Sequence, residues 1–409
     1  MVDDRNPGFH KIQFCSFKNF DGGGNDDGIE PIRIGVSTQA DFNSRSLVEY
    51  CYFTQCNGDG ELISSKASQN VYRFNTFEDN PRAELVLRHG SENIVYGNFF
   101  LNGKGGVRVR EGQDQYIYNN YFYDLDDRPI FLQNEDSDPL DNINIAFNTI
   151  INCDEVRLGG SGRDRPTNVT FANNIFFDPQ NDIFREQTGT ETWIGNIASG
   201  DLGIPLPSSG LTVADPQLEQ NSEGFFGLSE NSPGINAAQA GYAFLPQFEG
   251  IDDIDSEVLF DLMGQSRPLA IEERDLGSNE FPNEIFIRPI ATEENTGPSY
   301  NTSSITTSVQ NTPLVKELIA LSITPNPVAN EQLQITISSE STVNVIMDIV
   351  TLDGKRISTI AEQTILPGKI TVSKGVADLP TGLYTVRVTS RDPQGGGESI
   401  QTIKFAKSK

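Results

Sequence analysis

Lys66 and Arg88 stand 22 residues apart, and Arg108, Arg110 and Arg128 follow at similar intervals. Each ends or lies in a short segment of alternating apolar residues. These read Glu61-Leu62-Ile63-Ser64-Ser65-Lys66, Glu84-Leu85-Val86-Leu87-Arg88, Val107-Arg108-Val109-Arg110 and Arg128-Pro129-Ile130-Phe131-Leu132. If equivalent segments lie side by side, the cations form a column on one face of a chain whose formal net charge is −27. Like charges at close range repel, so such a column calls for an anion. Two readings follow: a solvated basic stripe, or a groove for a polyanionic chain.

The opposite charge lies just ahead of the same segments. Asp59 and Glu61 flank Gly60, and Asp27 begins Asp27-Gly28-Ile29-Glu30-Pro31 one repeat earlier. Brought together, three carboxylates cannot all stay ionised without a cation. An all-oxygen set favours Ca²⁺ over Zn²⁺. The plainer alternative is acidic turn residues in a chain with 57 Asp and Glu. His10 and His89 are the only histidines, which leaves a histidine zinc centre or a Ser-His triad without support. Calcium beside Lys and Arg suits one reaction. A uronic acid carries a carboxylate next to an acidic C5–H, and a cation on that carboxylate lowers the cost of the charge that builds as the C–H breaks. A Lys whose pKa is depressed by neighbouring cations can take the proton, and an Arg can meet the departing O4. The outcome is β-elimination. A hydrolase would need a carboxylate pair aimed at the anomeric carbon, and the paired-Asp motifs of β-helix hydrolases are absent.

The elements that must position these residues come from a repeat. Cys15-Ser16-Phe17, Cys51-Tyr52-Phe53, Asn75-Thr76-Phe77, Asn98-Phe99-Phe100, Asn120-Tyr121-Phe122, Asn148-Thr149-Ile150 and Asn174-Ile175-Phe176 recur, with a weaker Asn196-Ile197. The steps of 36, 24, 23, 22, 28, 26 and 22 residues are too short for propeller blades, and the Leu spacing of leucine-rich repeats is missing. Short strands with turn-forming Asn at this period predict an all-β chain: a right-handed parallel β-helix with coils about 4.8 Å apart. The repeated Asn side chains should bond one another as an internal ladder. Cys15 and Cys51 stand at ladder positions and read as buried thiols. The repeat defines residues 1–200 as the core. Residues 201–285 read as a loop-rich cap closing its C-terminal end, and 286–317 as a flexible linker rich in Thr, Ser, Asn and Glu. Residues 318–409 alternate as a small antiparallel β-sandwich, with Asp353-Gly354-Lys355 a hairpin signal.

On Gly28-Ile29-Glu30-Pro31-Ile32-Arg33-Ile34-Gly35, Glu61 through Lys66, Leu87-Arg88-His89-Gly90, Gly97-Asn98-Phe99-Phe100-Leu101 and Gly105-Gly106-Val107-Arg108-Val109, the chain resembles polysaccharide lyase family six, the alginate lyases and chondroitinase B. Gly264-Gln265-Ser266-Arg267 and Asp275-Leu276-Gly277-Ser278-Asn279-Glu280 extend the likeness to about residue 285. The resemblance implies Lys66 as base and Arg88 as acid. It implies His89, Arg108, Arg128 and Arg33 as substrate contacts, and calcium held at Asp27, Asp59 and Glu61. Asp27 and Asp59 depart from the Asn and Glu usual there. Family members usually carry further N-terminal coils and a secretion signal, so the resemblance implies a truncated start. Ile323-Thr324-Pro325-Asn326-Pro327, Leu352-Asp353-Gly354-Lys355 and Leu379-Pro380-Thr381-Gly382-Leu383-Tyr384 resemble the sorting domain of type IX secretion in Bacteroidota.

Together these readings predict a secreted or cell-surface, calcium-dependent lyase of the poly(mannuronate) type. Alginate is the expected substrate, with chondroitin or dermatan sulfate as the alternative, and the type IX machinery is the expected partner. A non-catalytic carbohydrate-binding β-helix and a hydrolase or epimerase on the same fold are the competing readings. The acidic balance, pI near 4.4, argues against a nucleic-acid partner. No apolar run is long enough to span a membrane.

Overall fold

The computed structural model describes residues 7–22, 28–133, 140–159, 165–186, 188–300, 319–324, 328, 332–339, 341–350, 356–380, 382–391 and 398–407. Their regular elements are strands and three short 3-10 helices. Contacts divide the chain into two compact units, 1–307 and 308–409.

In the first unit, three parallel sheets of eight, nine and seven strands are wound from successive coils. The first sheet runs from Lys11–Gln13 to Thr192–Ile194, the second from Ser16–Phe20 to Leu211–Val213, and the third from Ile32–Ile34 to Phe184–Arg185. Seven successive coils each donate one strand to each sheet, as in Ile94–Tyr96, Phe99–Leu101 and Val107–Val109. The corner between first and second sheets is one left-handed residue, such as Phe74, Asn119, Phe147 or Asn173, followed by the repeated Asn. Gly97 takes this place in one coil because a Cβ there would fall 2.7 Å from the ring of Phe74.

The ladder expected from the repeat is present. Asn75 donates to Asn98, Asn98 to Asn120 and Asn120 to Asn148, all at 3.0 Å. Asn148 donates to Asn174 and Asn174 to Asn196 at 2.9 Å. Each accepting oxygen also takes a backbone N–H from the coil before, so a buried turn has no orphaned donor there. Two residues on, Phe17, Phe53, Phe77, Phe100 and Phe122 stack with centroids 4.7 to 4.8 Å apart, the spacing of the coils themselves. All four cysteines are free; Cys51 is buried and Cys15 half-buried.

Residues 201–214 stay at the C-terminal end of the helix, where Leu211–Val213 pairs in parallel with residues 196–198 and Leu211 joins the coil core. The rest of the stretch read as cap, to residue 285 and on to 300, does not remain there. It returns along the side of the helix toward the first coil. Phe225 packs on Phe99 and Tyr121, the carbonyls of Asp252 and Asp253 accept from Arg73 at 3.1 and 3.0 Å, and Glu249 pairs with Arg45 at 2.5 Å. Glu293 pairs with Lys18, and Tyr300 stacks on Phe14 at 4.4 Å. The physical reason is an apolar outer edge. Leu47, Val71, Ile94, Tyr96, Tyr118, Phe147 and Ile175 face away from the coil interior and need cover, which Leu228, Leu245, Phe248, Ile251 and Leu276 supply. Residues 286–300, read from composition as linker, belong to this strap, with Ala291 and Thr296 buried. The remainder of that stretch, 301–317, lies outside the described residues.

The second unit holds a three-stranded antiparallel sheet, Ala320–Thr324, Gln332–Ser339 and Gly368–Gly375, and a four-stranded one. The latter comprises Arg356–Ile365, Val343–Val350, Gly382–Arg391 and Glu398–Lys407. Alternating burial along Gln332–Ser339 puts Leu333, Ile335 and Ile337 into one core with Val345, Met347, Val386 and Val388. The expected hairpin residues Asp353, Gly354 and Lys355, and Pro325 to Pro327, lie outside the described residues, although the strands flanking the hairpin are paired.

Candidate active site

The third sheet carries the charged columns. Its inward residues, Ile63, Leu85 and Leu87, Val107 and Val109, Ile130 and Leu132, fill the coil interior. The alternation of a strand then turns the residues between them outward. One outward column runs Arg33, Ser64, Val86, Arg108, Phe131, Arg157, Arg185, each in register with the next. Two residues further along, Lys66, Arg88 and Arg110 form a second. Their backbone N–H groups donate to Ile34, Ser65 and Leu87 of the preceding coil at 2.8 to 2.9 Å. The spacing of 22 residues therefore does place Lys66 and Arg88 on adjacent coils. Behind them the turn at Gly90 passes against the Ala67 backbone, which a Cβ would meet at 2.4 Å.

Arg88 is held by Glu61, Nη1 to Oε1 at 2.5 Å, and Arg110 approaches the same oxygen at 3.6 Å. Lys66 has no such partner among the described residues. Its pKa is lowered by burial first, then by Arg88 and Arg33, against the opposing pull of Glu61 and Glu30. Burial, with Arg88 and Arg108 nearby, brings Arg110 down to about 10. Arg33 is bonded to Glu30 at 2.6 Å, and Arg128 to Asp127 at 2.7 Å. Arg108 lies over the ring of Phe131, 5.1 Å from its centroid. His89 is joined through Nδ1 to the carboxylate of Glu111.

Among the described residues no group of three or more His, Cys, Asp and Glu side chains is arranged to hold a metal. Asp27 lies outside the described residues. Asp59 is buried and accepts from the backbone N–H of Gly28 at 3.1 Å and of Gly60 at 2.5 Å. Glu61 Oε2 is buried and accepts no hydrogen bond among the described residues. That orphaned oxygen beside a second buried carboxylate is donor chemistry that suits a hard cation such as Ca²⁺.

Two carboxylates at this site escaped the reading of the sequence. Glu111 follows His89 by 22 residues, the interval that separates Lys66 from Arg88, so the coil period could have found it. Glu84 pairs in register with Glu61 and is buried, with Oε1 unpartnered among the described residues and its pKa raised by desolvation despite Lys104, Arg108 and Arg128. In the sequence it is one acid at the head of an apolar strand, and nothing in its spacing distinguishes it from a turn residue.

Residues 3–156 match the Chondroitinase B family, and residues 322–395 match the secretion system C-terminal sorting domain. Among curated proteins none matches. Among solved structures, the PL6 family alginate lyase AlyGC is 28% identical, over 55% of this chain and 33% of its own, with a TM-score of 0.48. A mannuronic acid specific family 6 lyase from human gut microbiota is also 28% identical, over 48% of this chain and 49% of its own, with a TM-score of 0.44. An AlyGC mutant superposes over 78% of this chain and 39% of its own at 22% identity and a TM-score of 0.50, a likeness of fold. The chain thus spans a third to a half of the length of these solved enzymes. Residues 3–156 are similar to the chondroitinase B family, and residues 322–395 of the C-terminal unit to a secretion sorting domain.

Proposed function

We propose that this chain is a secreted polysaccharide lyase that cleaves 1,4-linked uronate chains, alginate foremost, by β-elimination. The observation that carries the reading is Lys66 beside Arg88 on adjacent coils of one outward face, with the Lys66 pKa lowered. A neutral Lys66 Nζ takes the C5 proton. Arg88, fixed by Glu61, meets the departing O4 and gives or shares a proton as the bond to it breaks. Arg110 and Arg33 add positive potential where the uronate carboxylate gains charge. His89, held by Glu111 through Nδ1, would contact the substrate, as Arg108 and Arg128 would contact its neighbouring acidic groups. Asp59 and Glu61, with Asp27, would hold Ca²⁺, which neutralises the substrate carboxylate when bound.

Dermatan or chondroitin sulfate is the second reading, because the matching family is that of chondroitinase B. The sorting domain supports export by the type IX machinery to the medium or cell surface. The test is ultraviolet absorbance of the 4,5-unsaturated uronate product, with alginate and with dermatan sulfate, each with calcium and with chelator. Product formation abolished by Lys66→Ala supports the reading. No product from either polymer sinks it, and product unaffected by chelator removes the calcium.

A further inference from the structure

Beyond the reacting pair, three guanidinium groups converge on one ring. The guanidinium carbons of Arg108, Arg128 and Arg157 lie 5.1, 4.1 and 5.6 Å from the centroid of Phe131. Arg108, Phe131 and Arg157 are consecutive in the outward column, so three adjacent coils build the cluster. The arginines cover the ring and leave Phe131 3% exposed. Its negative face steadies the cations, and carboxylates fix two of their edges: Asp127 on Arg128 and Glu186 on Arg157, both at 2.7 Å. Arg157 Nε is buried and donates to nothing among the described residues. Preorganised planar donors gathered so closely are matched by an oxyanion that can accept from several at once.

We propose that Arg108, Arg128 and Arg157, seated on Phe131, form a distal site that binds an acidic group of the polysaccharide chain remote from the bond being cut. The inference rests on the lyase reading for the identity of the chain, and adds a residue, Arg157, and a length requirement. The Phe131 coil is three coils from that of Lys66, about 14 Å at the usual strand spacing. An extended 1,4-linked uronate chain repeats at a step comparable to one coil, so the site holds the carboxylate or sulfate of a sugar about three units away.

The experiment uses the full chain carrying Lys66→Ala, titrated by calorimetry with alginate oligomers of increasing length from the disaccharide upward. Dermatan sulfate oligomers form a parallel arm. Arg157→Ala in that background weakens the longer oligomers about tenfold and leaves the shortest unchanged. Arg157→Lys gives a smaller loss, because it keeps the charge and loses the planar fork. Phe131→Leu, which removes the shared support, reproduces the length-dependent loss without deleting a charge and guards against misfolding of the Arg157 variants. Response of one arm alone identifies carboxylate or sulfate. A loss equal at every length, no loss at any length, or no binding by the parent overturns the proposal. Length-dependent binding by the Lys66→Ala chain, with no unsaturated product from the unsubstituted chain, sinks the lyase reading and leaves the site standing. Product without length dependence does the reverse.

Discussion

Asn120 sits at the middle of the internal ladder, fully buried, and makes four side-chain hydrogen bonds. Its Oδ1 accepts from the backbone and the side-chain amide of Asn98, both at 3.0 Å. Its Nδ2 donates to Asn148 Oδ1 and to the Val95 carbonyl, both at 3.0 Å. Asn120→Ala removes all four. Asn98 Nδ2 keeps the carbonyls of Tyr72 and Tyr96, and Asn148 Oδ1 keeps the Asn120 backbone N–H. The Asn98 backbone N–H keeps nothing. With about 1 kcal/mol net for each of the other three lost hydrogen bonds and about 1–3 kcal/mol for the buried N–H left unsatisfied, the loss is about 4–6 kcal/mol. The assay is urea unfolding of the full chain followed by the fluorescence of Trp193, the only tryptophan, which stacks on Phe171 inside the β-helix at 4.6 Å. The signal therefore reports this unit apart from the sorting domain. Asn120→Asp sharpens the test. An ionised carboxylate would face Asn148 Oδ1, acceptor against acceptor, so the folded state favours the protonated acid. Its stability falls as pH rises through the raised folded-state pKa and is recovered in acid. A loss below about 1 kcal/mol in Asn120→Ala, or no pH dependence in Asn120→Asp, would refute the view that the ladder holds the coils together.

Glu61→Gln should release Arg88 and lower kcat by at least tenfold with circular dichroism unchanged; unaltered turnover would remove Glu61 as the residue that positions the acid. The strap carries its own pH response. Burial, with Asp275 adding to it against Arg267, pushes Glu280 up to about 7, and burial pushes Asp261 up to about 6. Both lie above the unfolded values of about 4, so the folded chain holds protons longer and stability falls as pH rises between about 4 and 7. The Tm should be higher at the acid end of this window, and Glu280→Gln should flatten the slope; a Tm that rises with pH contradicts the assignment. Deleting 308–409 should leave the activity of the purified chain intact and abolish export, whereas a folded but inactive truncation would give the second unit a role in catalysis.

The repeat made the coils legible because a parallel β-helix places equivalent residues at one period. Asn at the corner, Phe two residues later and a cation at the end of the third strand each became a column once that period was counted. Lys66 and Arg88 could be put on adjacent coils for the same reason. The period could not show what each column faces. Glu61 reads as a calcium ligand by spacing, yet one of its oxygens is committed to Arg88 and only the other is open. Phe131 reads as a strand residue, yet it supports three arginines brought from neighbouring coils and turns.

By itself the sequence determined the coil architecture, the cationic face and the antiparallel second unit. These depend on period-two alternation and on a repeat, and both are local properties of the chain. Only the tertiary structure decided the course of residues 215–300. Their turns have no period, and what directs them along the side of the helix is an apolar edge assembled from Leu47, Val71, Ile94, Tyr118 and Phe147, residues far apart in the chain. It likewise decided the pairing of His89 with Glu111, the seating of Arg157 and the burial of Glu84. A side chain's partners depend on which coil lies beside it and on how deeply both are withdrawn from water, and neither is a property of the residue's own segment.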